Sequence, residues 1–132
     1  MAAGLNDLAD AKAASGDLGA AERDYREALR MAHAVSDAEG VAIYTGNLSA
    51  MALDREDWPG AETLVREALS LSERVGRQKL IAANCRRLAR ALAWQEKKAE
   101  ALPLAQRAAE IYTRLGSPKL EDACATLQEC QG

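Results

Sequence analysis

The 132 residues include no phenylalanine, one histidine, three cysteines and three prolines, and each shortage removes a class of protein. Valine and isoleucine together number 7, and aromatic residues make up 4%. Strands draw on β-branched and aromatic side chains, so a sheet has little to be built from. The single histidine, His33, excludes a His-rich metal site and leaves one base for a Ser-His-Asp arrangement. Cys85, Cys124 and Cys130 are odd in number and lack paired spacing, so neither a disulfide framework nor a zinc site reads from them. Free thiols in a reducing, cytoplasmic setting are the expectation. The opening Met1-Ala2-Ala3-Gly4-Leu5-Asn6-Asp7 has neither the basic start nor the apolar run of a signal peptide. No stretch approaches the roughly 18 apolar residues of a membrane span, so no membrane partner is expected.

Charge excludes more. Lys+Arg number 17 against Asp+Glu 20, a net charge of −3, which lacks the basic excess that a phosphate backbone demands. Nucleic acid is therefore not expected as a partner. No Gly-rich phosphate loop, H-E-x-x-H or Gly-x-Ser-x-Gly string occurs. The carboxylate pairs Glu56-Asp57 and Glu121-Asp122 fall in a turn and a tail, where nothing encloses them to shift their pKa values. No enzyme activity, catalytic residue, metal or cofactor is expected.

What is present is alanine and leucine, 29 and 17 of them, both strong helix formers. The chain repeats itself at an offset of 40. That shift lays Ala21-Glu22 on Ala61-Glu62, Ala28 and Leu29 on Ala68 and Leu69, and Ala61 and Ala68 on Ala101 and Ala108. It also aligns Leu8, Leu48 and Leu88, then Val35, Val75 and Leu115. Each unit reads as two helices with apolar residues at i, i+3 and i+4. The first runs from Ala2 to about Ser15, and Ser15-Gly16-Asp17 turns the chain. The second runs from about Leu18 to Val35 with Ala21, Tyr25, Ala28, Leu29 and Ala32 inward. In the second unit the turn is Arg55–Gly60, where Pro59 suits a first helical turn. In the third it is Gln95–Lys98, without glycine, and Pro103 is expected within the unbonded first turn that follows. The tail from Pro118 to about Cys130 reads as one more helix, with Leu120, Ala123, Cys124 and Leu127 as its apolar stripe. Length and repeat together give one all-α domain, with repeats over about 2–37, 38–77 and 78–117 and a terminal helix over about 118–130.

The order Leu8-Ala9, Gly16, Ala21-x3-Tyr25-x2-Ala28 resembles the tetratricopeptide repeat (TPR) pattern. Leu48-Ser49 with Ala61-x3-Val65-x2-Ala68, and Leu88-Ala89 with Ala101-x3-Ala105-x2-Ala108, carry the resemblance through residues 2–116. The 40-residue period is similar to the longer-helix subclass of kinesin light chains and bacterial signalling proteins, as are Leu5-Asn6-Asp7-Leu8-Ala9 and Ala101-Leu102-Pro103-Leu104. No copy has the family's leading Trp. The resemblance implies a right-handed α-solenoid of three helix-turn-helix repeats plus a C-terminal helix, with the first helix of each unit on a concave face.

On that face the resemblance places Asn6, Asp7 and Asp10, then Tyr44, Asn47 and Asp54, then Asn84, Arg86, Arg87, Arg90 and Trp94. The partner-binding residues expected are Asn6, Asp10, Asn47, Arg86, Arg87, Arg90 and Trp94. An Asn amide can pair with both the N–H and C=O of an extended peptide. Arg86 and Arg90 stand one helical turn apart, and guanidinium forks grip carboxylates. Residues 77–98 hold seven Lys/Arg and one acid, whereas residues 1–40 hold eight acids and four bases. The function expected is a protein-protein interaction module that binds an acidic or extended segment of a partner. The alternative is a self-associating scaffold, or a repeat fragment of a larger regulator, with acidic first unit meeting basic third unit head to tail. Trp58 is expected to pack against the next helix, and His33 to lie on the surface.

Overall fold

The computed structural model describes residues 18–131. Six helices follow one another: α1 (Leu18–Ala34), α2 (Ala38–Asp54), α3 (Trp58–Val75), α4 (Gln78–Ala93), α5 (Lys98–Leu115) and α6 (Leu120–Gln131). No strand occurs among the described residues. The helix expected before Ser15, and its turn at Gly16, lie outside them. Helices α1, α3 and α5 start 40 residues apart, as do α2 and α4.

The backbone repeats more finely than the side chains. Ser36, Glu56, Gly76, Glu96 and Gly116, each 20 residues from the next, have φ values of 55°, 60°, 79°, 64° and 62°. One left-handed residue thus reverses the chain after every helix from α1 to α5. In four of the turns the next N–H closes back on the preceding helix: Asp37 to the Ala32 carbonyl, Asp57 to Ala52, Lys97 to Leu92 and Ser117 to Tyr112, at 2.9–3.0 Å. Glu96 supplies in the third unit what a glycine was expected to supply, at a cost of about 1 kcal/mol. Asp37 and Asp57 cap α2 and α3 by accepting from the N–H groups of Gly40 and Gly60 at 3.0 and 3.1 Å. Pro59 sits in the first turn of α3 as expected. Pro103 does not: it is the sixth residue of α5, past the unbonded turn. It removes the bond that its N–H would make to the carbonyl of Ala99, an exposed residue where water can reach.

Packing follows the alanine pattern. Ala21, Ala28, Ala61, Ala68, Ala101 and Ala108 all have 0% exposure, and Tyr25, Val65 and Ala105 are buried between them. Small residues at these points let helices approach while Leu, Val and Tyr fill the gaps beside them. The other aligned set behaves differently. Val35, Val75 and Leu115 fall at the last turns or just beyond, and Val35 is 74% exposed. Helix α6 also departs from expectation, because Cys124 is exposed while Ala123, Thr126 and Cys130 are buried against α4 and α5.

Curvature follows from which helices touch. Beyond chain neighbours, α2 packs on α4 and α4 on α6, whereas α1, α3 and α5 make no comparable contacts with one another. The side bearing α2, α4 and α6 is therefore the inner one. Long ion pairs bridge the outer helices instead, Arg66 to Glu100 at 2.8 Å and Arg107 to Glu73 at 2.9 Å. Arg55 and Gln95, 40 residues apart, reach Glu22 and Glu62, also 40 apart. The Arg55 hydrogen bond lowers the Glu22 pKa. Burial alone would raise Glu62, but its bonds from Arg66, Gln95 and Lys97 outweigh that and lower it. Such exposed pairs each contribute little stability; their regular spacing marks the register of the stack.

Candidate interaction groove

Helix α4 reads Gln78 to Ala93 with Ile81, Cys85, Leu88, Ala89 and Leu92 buried, which anchors one stripe in the core. At 3.6 residues per turn, Arg86, Arg90 and Trp94 then follow a second stripe, while Arg87 is turned about 100° from Arg86. The four side chains expected to act together divide accordingly.

Arg90 and Trp94 meet α6. Trp94 Nε1 donates to Glu129 Oε2 at 3.0 Å, and the same carboxylate oxygen lies 3.8 Å from Arg90 Nε. The Trp94 ring also stacks on Trp58, with centroids 5.4 Å apart and planes 12° apart. Trp58 packs against Ala52, Leu53, Ala61 and Ala91, the neighbouring-helix contact expected of it. Arg86 makes no hydrogen bond or ion pair with any described residue, and its Nε is buried.

Arg87 faces α2 instead. Its Nη1 donates to Asn84 Oδ1 at 3.1 Å, and Asn84 Nδ2 donates to Ser72 Oγ of α3 at 2.8 Å. Ser72 in turn donates its hydroxyl proton to the Ala68 carbonyl at 2.7 Å. With that proton committed, Ser72 can only accept from Asn84, which fixes the amide so that its oxygen faces Arg87. Gly46, inside α2, makes room for this pair: a Cβ there would lie 2.7 Å from Arg87 Nη1. Burial, reinforced by the adjacent Arg86 charge, pushes Arg87 below the usual arginine pKa, while Tyr112 and Tyr25 oppose the shift. No carboxylate among the described residues pairs with it.

Two groove residues expected from the sequence are corrected. Asn84 is 1% exposed, with its amide spent on Ser72 and Arg87, and Tyr44 is buried among Ala28, Ala32 and Val41. Both lie on the side of their helix that turns to its neighbours. Asn47, on α2, is partly buried, and Asp54 ends α2 in solvent. Asn6, Asp7 and Asp10 lie outside the described residues. Gly46 and Ser72 were not anticipated, although a glycine within a helix interior is a signal for close approach.

The Cys85 thiol, fully buried, is pushed up to about 11 by burial, against the pull of Arg107. Burial also raises Cys130. His33 is exposed, as expected. Among the described residues no group of three or more His, Cys, Asp or Glu could hold a metal ion, and no helix is long and apolar enough to cross a membrane.

Comparison with known proteins supports the architecture. Tetratricopeptide repeat family models match residues 1–74 and 85–115. No curated protein matches the sequence. Among solved structures, the N-terminal domain of stress-induced protein-1 (STI-1) from C. elegans is similar in fold. Its TM-score is 0.72 at 17% identity, over 99% of this chain and 94% of that one. With two matches spanning most of its length and two complete helical pairs, α2–α3 and α4–α5, flanked by further helices of the same stack, the chain belongs to the tetratricopeptide repeat family.

Proposed function

We propose that this protein is a non-catalytic interaction module that takes an acidic, extended segment of a partner protein along its inner face, at Arg86 and Arg87. One observation carries the reading. Among described arginines without a carboxylate partner, Arg23, Arg74 and Arg114 are exposed, whereas Arg86 and Arg87 are partly buried. A cation withdrawn from water is costly unless an anion compensates it, and a partner carboxylate would do so. Arg90 and Trp94, next along the same stripe of α4, border the site, and Asn47 lies on the neighbouring α2. Asn6 and Asp10 complete the expected set from outside the described residues. Helices of 16–18 residues from α1 to α5 and the 40-residue register favour the longer-helix, kinesin-light-chain-like subclass. The whole chain is read as a single domain working in the cytoplasm.

The test is fluorescence anisotropy with a labelled Glu/Asp-rich peptide, comparing the native chain with Arg86→Glu. An affinity on the order of micromolar is expected, with a loss of about tenfold in the variant. Equal binding by both would reject the groove. Affinity capture from lysate, read by mass spectrometry, then identifies the partner; retention of only the chain itself would favour the self-associating alternative.

A further inference from the structure

A cavity of about 280 Å³ lies at the opposite end of α4 from its first turn, lined by Ala93, Trp94, Glu96, Lys98, Gln128 and Glu129. It is smaller than the roughly 300 Å³ at which pockets for drug-sized ligands begin, so it suits a single side chain. Trp94 is 54% exposed, the most exposed aromatic side chain described. Its indole is held on one face by Trp58, which does not line the cavity, and at Nε1 by Glu129. The ring is thus oriented before anything binds, and it lines the cavity. Glu96 stands at the rim on the α4–α5 turn and makes no ion pair with any described residue. Lys98 supplies the one cation of the lining; Glu129 is shared with Arg90.

We propose that this cavity receives an arginine side chain of a protein partner, its guanidinium lying on the Trp94 ring and its N–H groups directed at the Glu96 and Glu129 carboxylates. A planar guanidinium is the group that meets both demands. It stacks on an aromatic face and binds carboxylates through paired N–H groups, which neither an aliphatic nor an acidic side chain can do. The cavity lies beyond the Arg86–Arg87 pair and has the opposite charge preference, with Trp94 bordering both, so a partner that used both would carry acidic and basic residues in one segment.

The chain has two tryptophans, so the two indole N–H signals of a ¹⁵N–¹H spectrum report the site directly, with Trp94→Phe assigning them. The native chain is titrated with N-acetyl-arginine amide, and in parallel with the leucine and glutamate amides. The Trp94 signal is expected to shift saturably with the arginine amide, and about tenfold more weakly with the other two. Glu96→Gln should weaken the arginine response about threefold, and Lys98→Gln should strengthen it about twofold. A shift that does not saturate, an equal response to leucine, or indifference to both substitutions overturns the proposal. Arg86 does not line the cavity, so Arg86→Glu leaves this titration unchanged, and the two sites fail or stand separately.

Discussion

Gly46 and Arg87 meet across the α2–α4 interface so closely that a Cβ on the glycine would lie 2.7 Å from Nη1 of the arginine and 2.8 Å from Asn84 Oδ1. The missing side chain is what lets a guanidinium enter between two helices without a carboxylate to meet it.

Gly46→Ala therefore separates stability from binding. Helix propensity gains about 1 kcal/mol, and displacing the flexible end of Arg87 from Asn84 costs about the same. Denaturant unfolding should show a midpoint close to the parent, whereas anisotropy should show the acidic peptide bound several-fold more weakly.

Asn84 carries the stability of the same network. Asn84→Ala leaves a cavity and strands Ser72 and Arg87, which should destabilise by about 2–3 kcal/mol in chemical denaturation. Asn84→Asp should be less damaging, because a carboxylate beside Arg87 neutralises it. For that same reason acidic-peptide binding should fall. A variant as stable as Asn84→Asp is expected to be, yet binding as tightly as the parent, would contradict the role given to Arg87.

Arg86 is the cleaner probe of electrostatics, since no described residue depends on it for a hydrogen bond. Arg86→Gln should cost about threefold in affinity and Arg86→Glu about tenfold. Both should flatten the dependence on salt, measured by repeating the titrations between low and high ionic strength.

The thiols predict two measurements. Only Cys124 is exposed, so iodoacetamide should add one label per native chain and three after unfolding, read by intact mass. Cys85 titrates near 11 in the fold against an ordinary 9.0, so the folded chain keeps a proton that the unfolded chain releases. Its contribution is whole below pH 9 and is lost as pH rises toward 11, by roughly 2 kcal/mol. Stability of the native chain minus that of Cys85→Ala, followed across this range, isolates the effect from the tyrosines.

Much of this architecture is legible in one dimension. Ala21, Ala61 and Ala101 disappear from solvent together because a 40-residue repeat must place equivalent residues in equivalent surroundings. Helical periodicity likewise assigns Tyr25 and Ala28 to the core before any neighbour is known. Periodicity says which residues share a stripe, but not what lies opposite it. Arg86 and Arg87 are neighbours in sequence with the same charge, yet one stands along the inner face and the other enters the α2–α4 interface at Gly46. Asn84 shares its stripe with the groove residues in sequence, yet Ser72, twelve residues earlier on α3, holds its amide inside the stack. Trp94 turned to Glu129 because α6 packs where a further repeat would begin. Composition and spacing settle which helices form and which faces they bury, since those depend on local propensity and apolar pattern. The partner of each polar side chain depends on distances between helices far apart in the chain, and these exist only once the stack has closed.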